Sequence, residues 1–157
     1  MSPRSDRIAA DSRGNANRRA VYVFLAIAAL ALIGLADSVY LTVEHFAGRA
    51  VRCTITNGCE EVLNSAYSTI GRIPLAPLGA IAYFLVFSLA TLSAFGNQIT
   101  RTALLYLVGL MLVFSIWLFI VQAFVLHAFC QFCLLSGAVT LSLAVLVAIE
   151  RFLPRRS

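Results

Sequence analysis

Charged side chains are scarce in this sequence. Only 12% of its 157 residues are charged and 61% are hydrophobic, against roughly 25% and 45–50% in soluble domains. Lysine is missing altogether, so all 12 basic residues are arginine. A chain so poor in charge, with a mean hydropathy of +0.89, cannot surround a core with a polar surface, which excludes an ordinary soluble globule. Internal repeats of 20–50 residues and low-complexity tracts are also lacking, which excludes solenoids and arrays. The formal net charge is +5, and a basic pI of about 9.4 would by reflex suggest nucleic acid. The arginines, however, cluster at the chain ends and beside apolar runs. That placement serves topology and anionic lipid headgroups instead, and no nucleic-acid partner is expected.

What the sequence does have is long apolar runs. About 20 helical residues cross the hydrocarbon core of a bilayer, and four stretches qualify: residues 21–43, 78–95, 103–128 and 132–152. The expected fold is all-α, a four-transmembrane-helix bundle comprising residues 20–153. A basic tail without regular structure (1–19) precedes it and a short tail (154–157) follows. A cleaved signal peptide is the rival for the first run, but 23 residues exceed the 7–15 of a signal core and no small-residue cleavage site closes it. The links are uneven. Residues 96–102 and 127–131 are tight turns, whereas 44–77 is a long polar insertion, and loops beyond about 12–15 residues are usually functional or disordered. Two cysteines, short apolar patches and Pro74/Pro77 mark this loop as ordered. Nine arginines fall on the side of the tail, the second turn and the C-terminus, against Arg49, Arg52 and Arg72 on the other. The positive-inside rule then places both termini in the cytoplasm and the long loop outside, as in a multi-pass protein of an inner, cytoplasmic membrane.

With that topology all four cysteines, Cys53, Cys59, Cys130 and Cys133, lie at the outward face, where disulfides persist. Four cysteines allow three connectivities, and spacing favours the local pairs 53–59 and 130–133. Cys130-Gln131-Phe132-Cys133 is a Cys-X-X-Cys motif at the start of the fourth span. Free N–H groups and the helix dipole there stabilise a thiolate, which makes such motifs redox-active. A structural disulfide and a metal site are the plainer readings. In the loop, Asn57 with Glu60 resembles a capping box, so a short helix is expected from Asn57. It would lie on an apolar face of Val62, Leu63 and Ala66, with Cys59 in its first turn and Cys53 on extended chain. One anchored sulfur and one that can travel suit a shuttle, and a plain loop staple is the alternative. A zinc site is disfavoured by the wide 53–59 spacing and by an oxidising face, so no metal is expected.

Among the remaining polar residues, Asp37 lies in the outer third of the first span, where a charge is a functional candidate. Ser65, Gln122 and His127 could line a pocket near the thiols, although Ser and Gln in spans often only bond between helices. His127, three residues before Cys130, could steady its thiolate.

At these residues the chain resembles the vitamin K epoxide reductase family in its bacterial form. The resemblance runs from Gly-Leu-Ala-Asp37-Ser-Val-Tyr-Leu-Thr through Cys53, Gly58-Cys59-Glu-Glu-Val-Leu-Asn-Ser65 and Gly71-Arg-Ile-Pro-Leu-Ala-Pro-Leu-Gly79 to Phe129-Cys-Gln-Phe-Cys133. It covers about residues 22–150. A lone Cys-X-X-Cys is weak evidence, but four cysteines and a serine in this order among these spans are specific. The resemblance implies a four-helix bundle around a quinone, ubiquinone or menaquinone, capped by the loop that bears the first cysteine pair. By that likeness Cys130 and Cys133 form the active-site disulfide, Cys133 is nearest the quinone ring, and Ser65 lies beside it. Cys53 and Cys59 would be the pair that takes electrons from a thioredoxin-like periplasmic protein. Vertebrate members hold a naphthoquinone with an Asn and a Tyr, and here Leu75 and Gly137 align with those positions. No thioredoxin-like domain is fused to this chain, so a separate protein is expected as partner.

The function these readings imply is a quinone-coupled thiol oxidase supporting disulfide formation. The nearest redox rival, the disulfide bond protein B type, carries its Cys-X-X-Cys in the first outer loop, unlike this chain. A small membrane transporter or binding protein with two structural disulfides is the rival of another class. Almost no charge lies deep in the spans to make a transport path.

Overall fold

The structure is a computed structural model that describes residues 3–48, 51, 58–63, 65–70 and 73–152. Cys53 and Asn57 lie outside the described residues, and so does the tail 154–157. Along the chain run α1 (Pro3–Phe46), α2 (Cys59–Leu63), a 3-10 turn (Ala66–Ser68), the two-residue strands β1 (Thr69–Ile70) and β2 (Ile73–Pro74), α3 (Leu75–Ala94), α4 (Gln98–Val121) and α5 (Gln131–Phe152). A π-helical turn (Gln122–Leu126) prolongs α4. Four segments are long and apolar enough to cross a membrane: Ala20–Phe46, Leu75–Ala94, Gln98–Leu126 and Gln131–Arg151. The protein is thus the helical membrane bundle that its apolar runs predict.

The helix ends differ from the apolar runs for local reasons. α1 reaches back to Pro3, so residues 3–19 are helical and not the irregular tail their composition predicts. Proline is well suited to a first helical turn, and no second proline interrupts the stretch. α3 begins at Leu75, three residues ahead of the apolar run, because Pro77 falls in the first turn, where its missing N–H is no loss. α4 begins at Gln98, since Asn97 Oδ1 accepts from the Ile99 N–H at 3.0 Å and caps a first turn that is polar. Among the described residues, α2 begins at Cys59. The Val62 N–H bonds to the Gly58 carbonyl at 3.0 Å, which makes Gly58 the residue before the helix.

In cross-section the bundle follows the order α1–α3–α4–α5, since α1 and α4 each pack against both α3 and α5. Small residues let α1 approach α3 closely. A Cβ on Gly34 would overlap the Tyr83 ring, and one on Gly79 would stand 3.1 Å from Ser38 Oγ. Polar contacts cross both diagonals. Between α3 and α5, the Tyr83 hydroxyl donates to the Ser136 carbonyl at 2.9 Å and lies 2.8 Å from Ser136 Oγ and 2.9 Å from Thr140 Oγ1. At the end away from the cysteines, Arg101 of α4 pairs with Glu150 of α5 at 2.9 Å and donates to the Ser93 carbonyl of α3 at 3.4 Å. Its guanidinium also sits 4.9 Å over the Phe24 ring of α1. One side chain thereby ties all four spans.

The packed core occupies that same end and the middle: Phe24, Ile27 and Ala31 meet Val86, Ala90, Leu104, Val108, Leu143 and Val147. Large apolar side chains such as Tyr106, Phe124 and Ile99 point outward, as expected where lipid is the solvent.

Candidate active site

Toward the cysteine end the core gives way to a cavity of about 890 Å³. Its walls explain the hollow, because Ser38, Gly79, Ala82, Ser136 and Gly137 all line it and leave the axis unfilled. The lining is predominantly apolar, with Leu41, Leu107, Met111, Phe114, Leu118 and Phe132 among its members. Leu75 and Gly137 both line this space. Neither residue brings a side-chain hydrogen-bonding group. Polar groups on the wall come instead from Asp37, Ser65, Tyr83, Gln122 and Cys133.

The Cys-X-X-Cys motif sits where α4 hands over to α5. Cys130 is completely buried, Cys133 is half-buried and both carry free thiols. Cys133, on the first turn of α5, reaches the cavity wall. The Cys133 S–H donates to the Cys130 sulfur, and the backbone N–H groups of Cys133 and Phe132 also point at it. These three donors outweigh burial and the nearby Asp37 charge, holding the Cys130 thiol down to about 7, as the start of a helix should. Since the thiolate is the nucleophile, alkylation of Cys130 by a small neutral reagent should rise with pH and be half-maximal near pH 7. A profile centred on the ordinary thiol value of about 8.5 would show that the three donors do not act on this sulfur.

The loop meets this turn directly. Cys59 is disulfide-bonded and only 1% exposed, and it shares one buried cluster with Val62, Ala128 and Cys130. Gly58 makes the approach possible. A Cβ there would come within 2.8 Å of the Phe129 backbone N and 2.9 Å of Ala128 Cβ, so only glycine fits between loop and turn. Two cysteines far apart in the chain are thereby packed together at one end of the bundle.

The other expected site residues divide. Asp37 lines the cavity, is 8% exposed, and its Oδ2 has no hydrogen-bond partner among the described residues. Ser65 also lines it, while its hydroxyl donates to the Val62 carbonyl at 2.7 Å and closes α2. His127 is exposed, has a left-handed backbone (φ 49°) and stands outside the cavity lining. The π-helical turn swings it away from the pocket that its spacing to Cys130 suggested. No cluster of three or more metal-ligating side chains occurs among the described residues. Sequence reasoning missed the roles of Gly58 and Tyr83. The signal for Tyr83 was the Ser136/Thr140 pair, four residues apart on one face of α5.

A buried dithiol beside an apolar cavity, in a four-span bundle whose loop brings in a further cysteine, defines a membrane thiol–disulfide oxidoreductase. The family's own sequence pattern agrees: the model of the vitamin K epoxide reductase family matches residues 25–148, and the chain belongs to that family. Its activity is accordingly, in general terms, that of a quinone-linked thiol oxidoreductase.

Proposed function

We propose that the protein oxidises a separate thioredoxin-like partner outside the cytoplasmic membrane and passes the electrons, through two dithiols, to membrane quinone. The observation that carries this reading is the shared burial of Cys59 and Cys130 beside the cavity. The partner's dithiol reduces the Cys53–Cys59 disulfide and leaves as a disulfide itself. A loop thiolate then attacks Cys130 of the Cys130–Cys133 disulfide, expelling Cys133 as thiolate. The second loop thiolate attacks the first loop sulfur, restoring the loop disulfide and freeing Cys130. Each transfer conserves one disulfide, and its rate follows thiolate content and access.

The cavity suits a quinone. About 890 Å³ falls within the 300–1,000 Å³ usual for apolar ligand pockets with a few polar groups. When bound, quinone supplies the capacity to take two electrons and two protons. The residues that would hold it are Cys133, Ser65 and Asp37. Cys133 on the wall would give up the electron pair as the Cys130–Cys133 bond closes, and Asp37, whose Oδ2 has no partner among the described residues, is placed to exchange a proton at the same surface. Proximity and orientation are what the protein contributes. Ubiquinone or menaquinone fits this description. The excess of arginine at the opposite end of the bundle supports placing both termini in the cytoplasm.

The sequence points to Cys53 as the sulfur that travels to Cys130, whereas the burial of Cys59 against Cys130 favours Cys59. Non-reducing peptide mapping separates the two. Cys59→Ala should accumulate a Cys53–Cys130 cross-link if Cys53 attacks, and Cys53→Ala a Cys59–Cys130 cross-link if Cys59 does. Recovery of neither cross-link would refute the relay itself.

A further inference from the structure

Gln122 is a buried carboxamide, 3% exposed; its main-chain N–H bonds back to Leu118 and Phe119 in α4, while its side-chain and main-chain oxygens both accept from the redox turn. Its side-chain Oε1 accepts from the Cys130 N–H at 3.0 Å. Its main-chain carbonyl accepts from the N–H of His127, in the wide π-helical pattern, and from that of Ala128 at 3.2 Å. Three N–H groups between residues 127 and 130 thus converge on one residue of the preceding helix. π-helical turns are rare and occur mostly at functional sites. Here the turn replaces the ordinary α-helical end and is followed at once by the left-handed His127.

The same turn is approached by Gly58, through Ala128 and Phe129. The peptide that leads into Cys130 is therefore gripped from the helix by Gln122 and from the loop by Gly58. The Cys130 N–H belongs to the set that α5 itself cannot satisfy, since the first main-chain bond back to this residue is from the Leu134 N–H to the Cys130 carbonyl at 3.0 Å. Without Gln122 that N–H would be buried and unpaired, and the turn could rotate to relieve it.

We propose that Gln122 is a positioning residue for the Cys130–Cys133 dithiol: its carboxamide fixes the rotation of the Cys-X-X-Cys turn, and with it how readily the pair is oxidised. The inference deepens the relay reading and rests on it. Held in place, the turn keeps the Phe132 and Cys133 N–H groups aimed at the Cys130 sulfur, which stabilises the reduced form and makes the disulfide a stronger oxidant, as in other Cys-X-X-Cys proteins with a stabilised thiolate. Loosened, the pair becomes more reducing and drains electrons less readily from the loop.

The test measures the dithiol alone. In a Cys53→Ala/Cys59→Ala background without quinone, the detergent-purified protein is equilibrated in glutathione buffers, and the oxidised fraction is read by mass-tagged alkylation. Gln122→Met keeps the volume and removes the acceptor; Gln122→Asn keeps the amide on a side chain too short to reach. Either should shift the equilibrium toward the disulfide by about tenfold, as the loss of one buried hydrogen bond implies, or about 30 mV for a two-electron couple. Either should also slow alkylation of Cys130 at pH 7 about threefold, on the same hydrogen-bond scale. A potential within twofold of the background in both variants would overturn the positioning role. Failure of the background itself to form a Cys130–Cys133 disulfide would instead sink the relay. If Gln122→Met does not fold, Gln122→Asn alone decides between the first two outcomes.

Discussion

Cys133→Ala is expected to abolish quinone reduction by the purified protein supplied with a reduced thioredoxin-like donor. Removing a residue that makes and breaks the covalent bond of each turnover reduces rates by roughly a thousandfold or more. Cys133 is also the cysteine on the cavity wall, so no other described thiol can take its place beside a bound ring. The loop exchange should survive in part. Cys130 remains in one buried cluster with Cys59, and with its partner gone it can attack the loop disulfide and stay bound to it. The variant should therefore accumulate a Cys130–loop cross-link on non-reducing gels while quinol formation falls to the uncatalysed background. Normal turnover in Cys133→Ala would remove the central claim, that the inner dithiol is the quinone-facing one.

Gly58→Val is expected to have the second-largest effect, and a different signature. The Cβ position at residue 58 lies within 3.0 Å of two Phe129 backbone atoms and of Ala128 Cβ. Backbone atoms cannot rotate aside, so a branched side chain must push α2 away from the redox turn. A misplacement of about 1 Å between reacting groups can reduce rate by roughly a hundredfold, and that is the expected loss in donor-driven quinone reduction. The potential of the Cys130–Cys133 pair, measured without the loop cysteines, should be unchanged, as should quinol formation when a small dithiol reduces Cys130–Cys133 directly. Gly58→Ala should fall between wild type and valine. Equal loss with the donor and with the small dithiol would mean that the substitution damages the bundle and not the docking of the loop.

Much of this architecture is visible in the chain itself. Apolar runs of bilayer length are hard to read as anything but spans, and the arginine-rich ends and the Cys-X-X-Cys after the third run place the dithiol at one membrane face. What escapes such a reading depends on short-range exceptions. The π-helical turn at Gln122–Leu126 is five residues of a long apolar stretch and leaves no mark on its periodicity. It nevertheless decides that Gln122 bonds to the Cys130 backbone and lines the cavity while His127 does not. The polar first turn of α4 and Pro77 in the first turn of α3 similarly hide helix that the apolar count stops short of. Gly58 belongs to a recognisable motif, but its reason, the backbone of Phe129 packed against it, exists only once distant segments meet. The helical course of α1 back to Pro3 lies equally beyond what apolar patterning can register.

The single arginine that gathers the four spans at the end remote from the thiols has a mechanical consequence. A bundle cinched at its base and hollow at its rim will breathe unevenly, with its staves spreading at the open mouth while the foot holds its girth. For the quinone proposed above, that yielding end is where an apolar tail would pass, without loosening the knot that keeps the bundle upright.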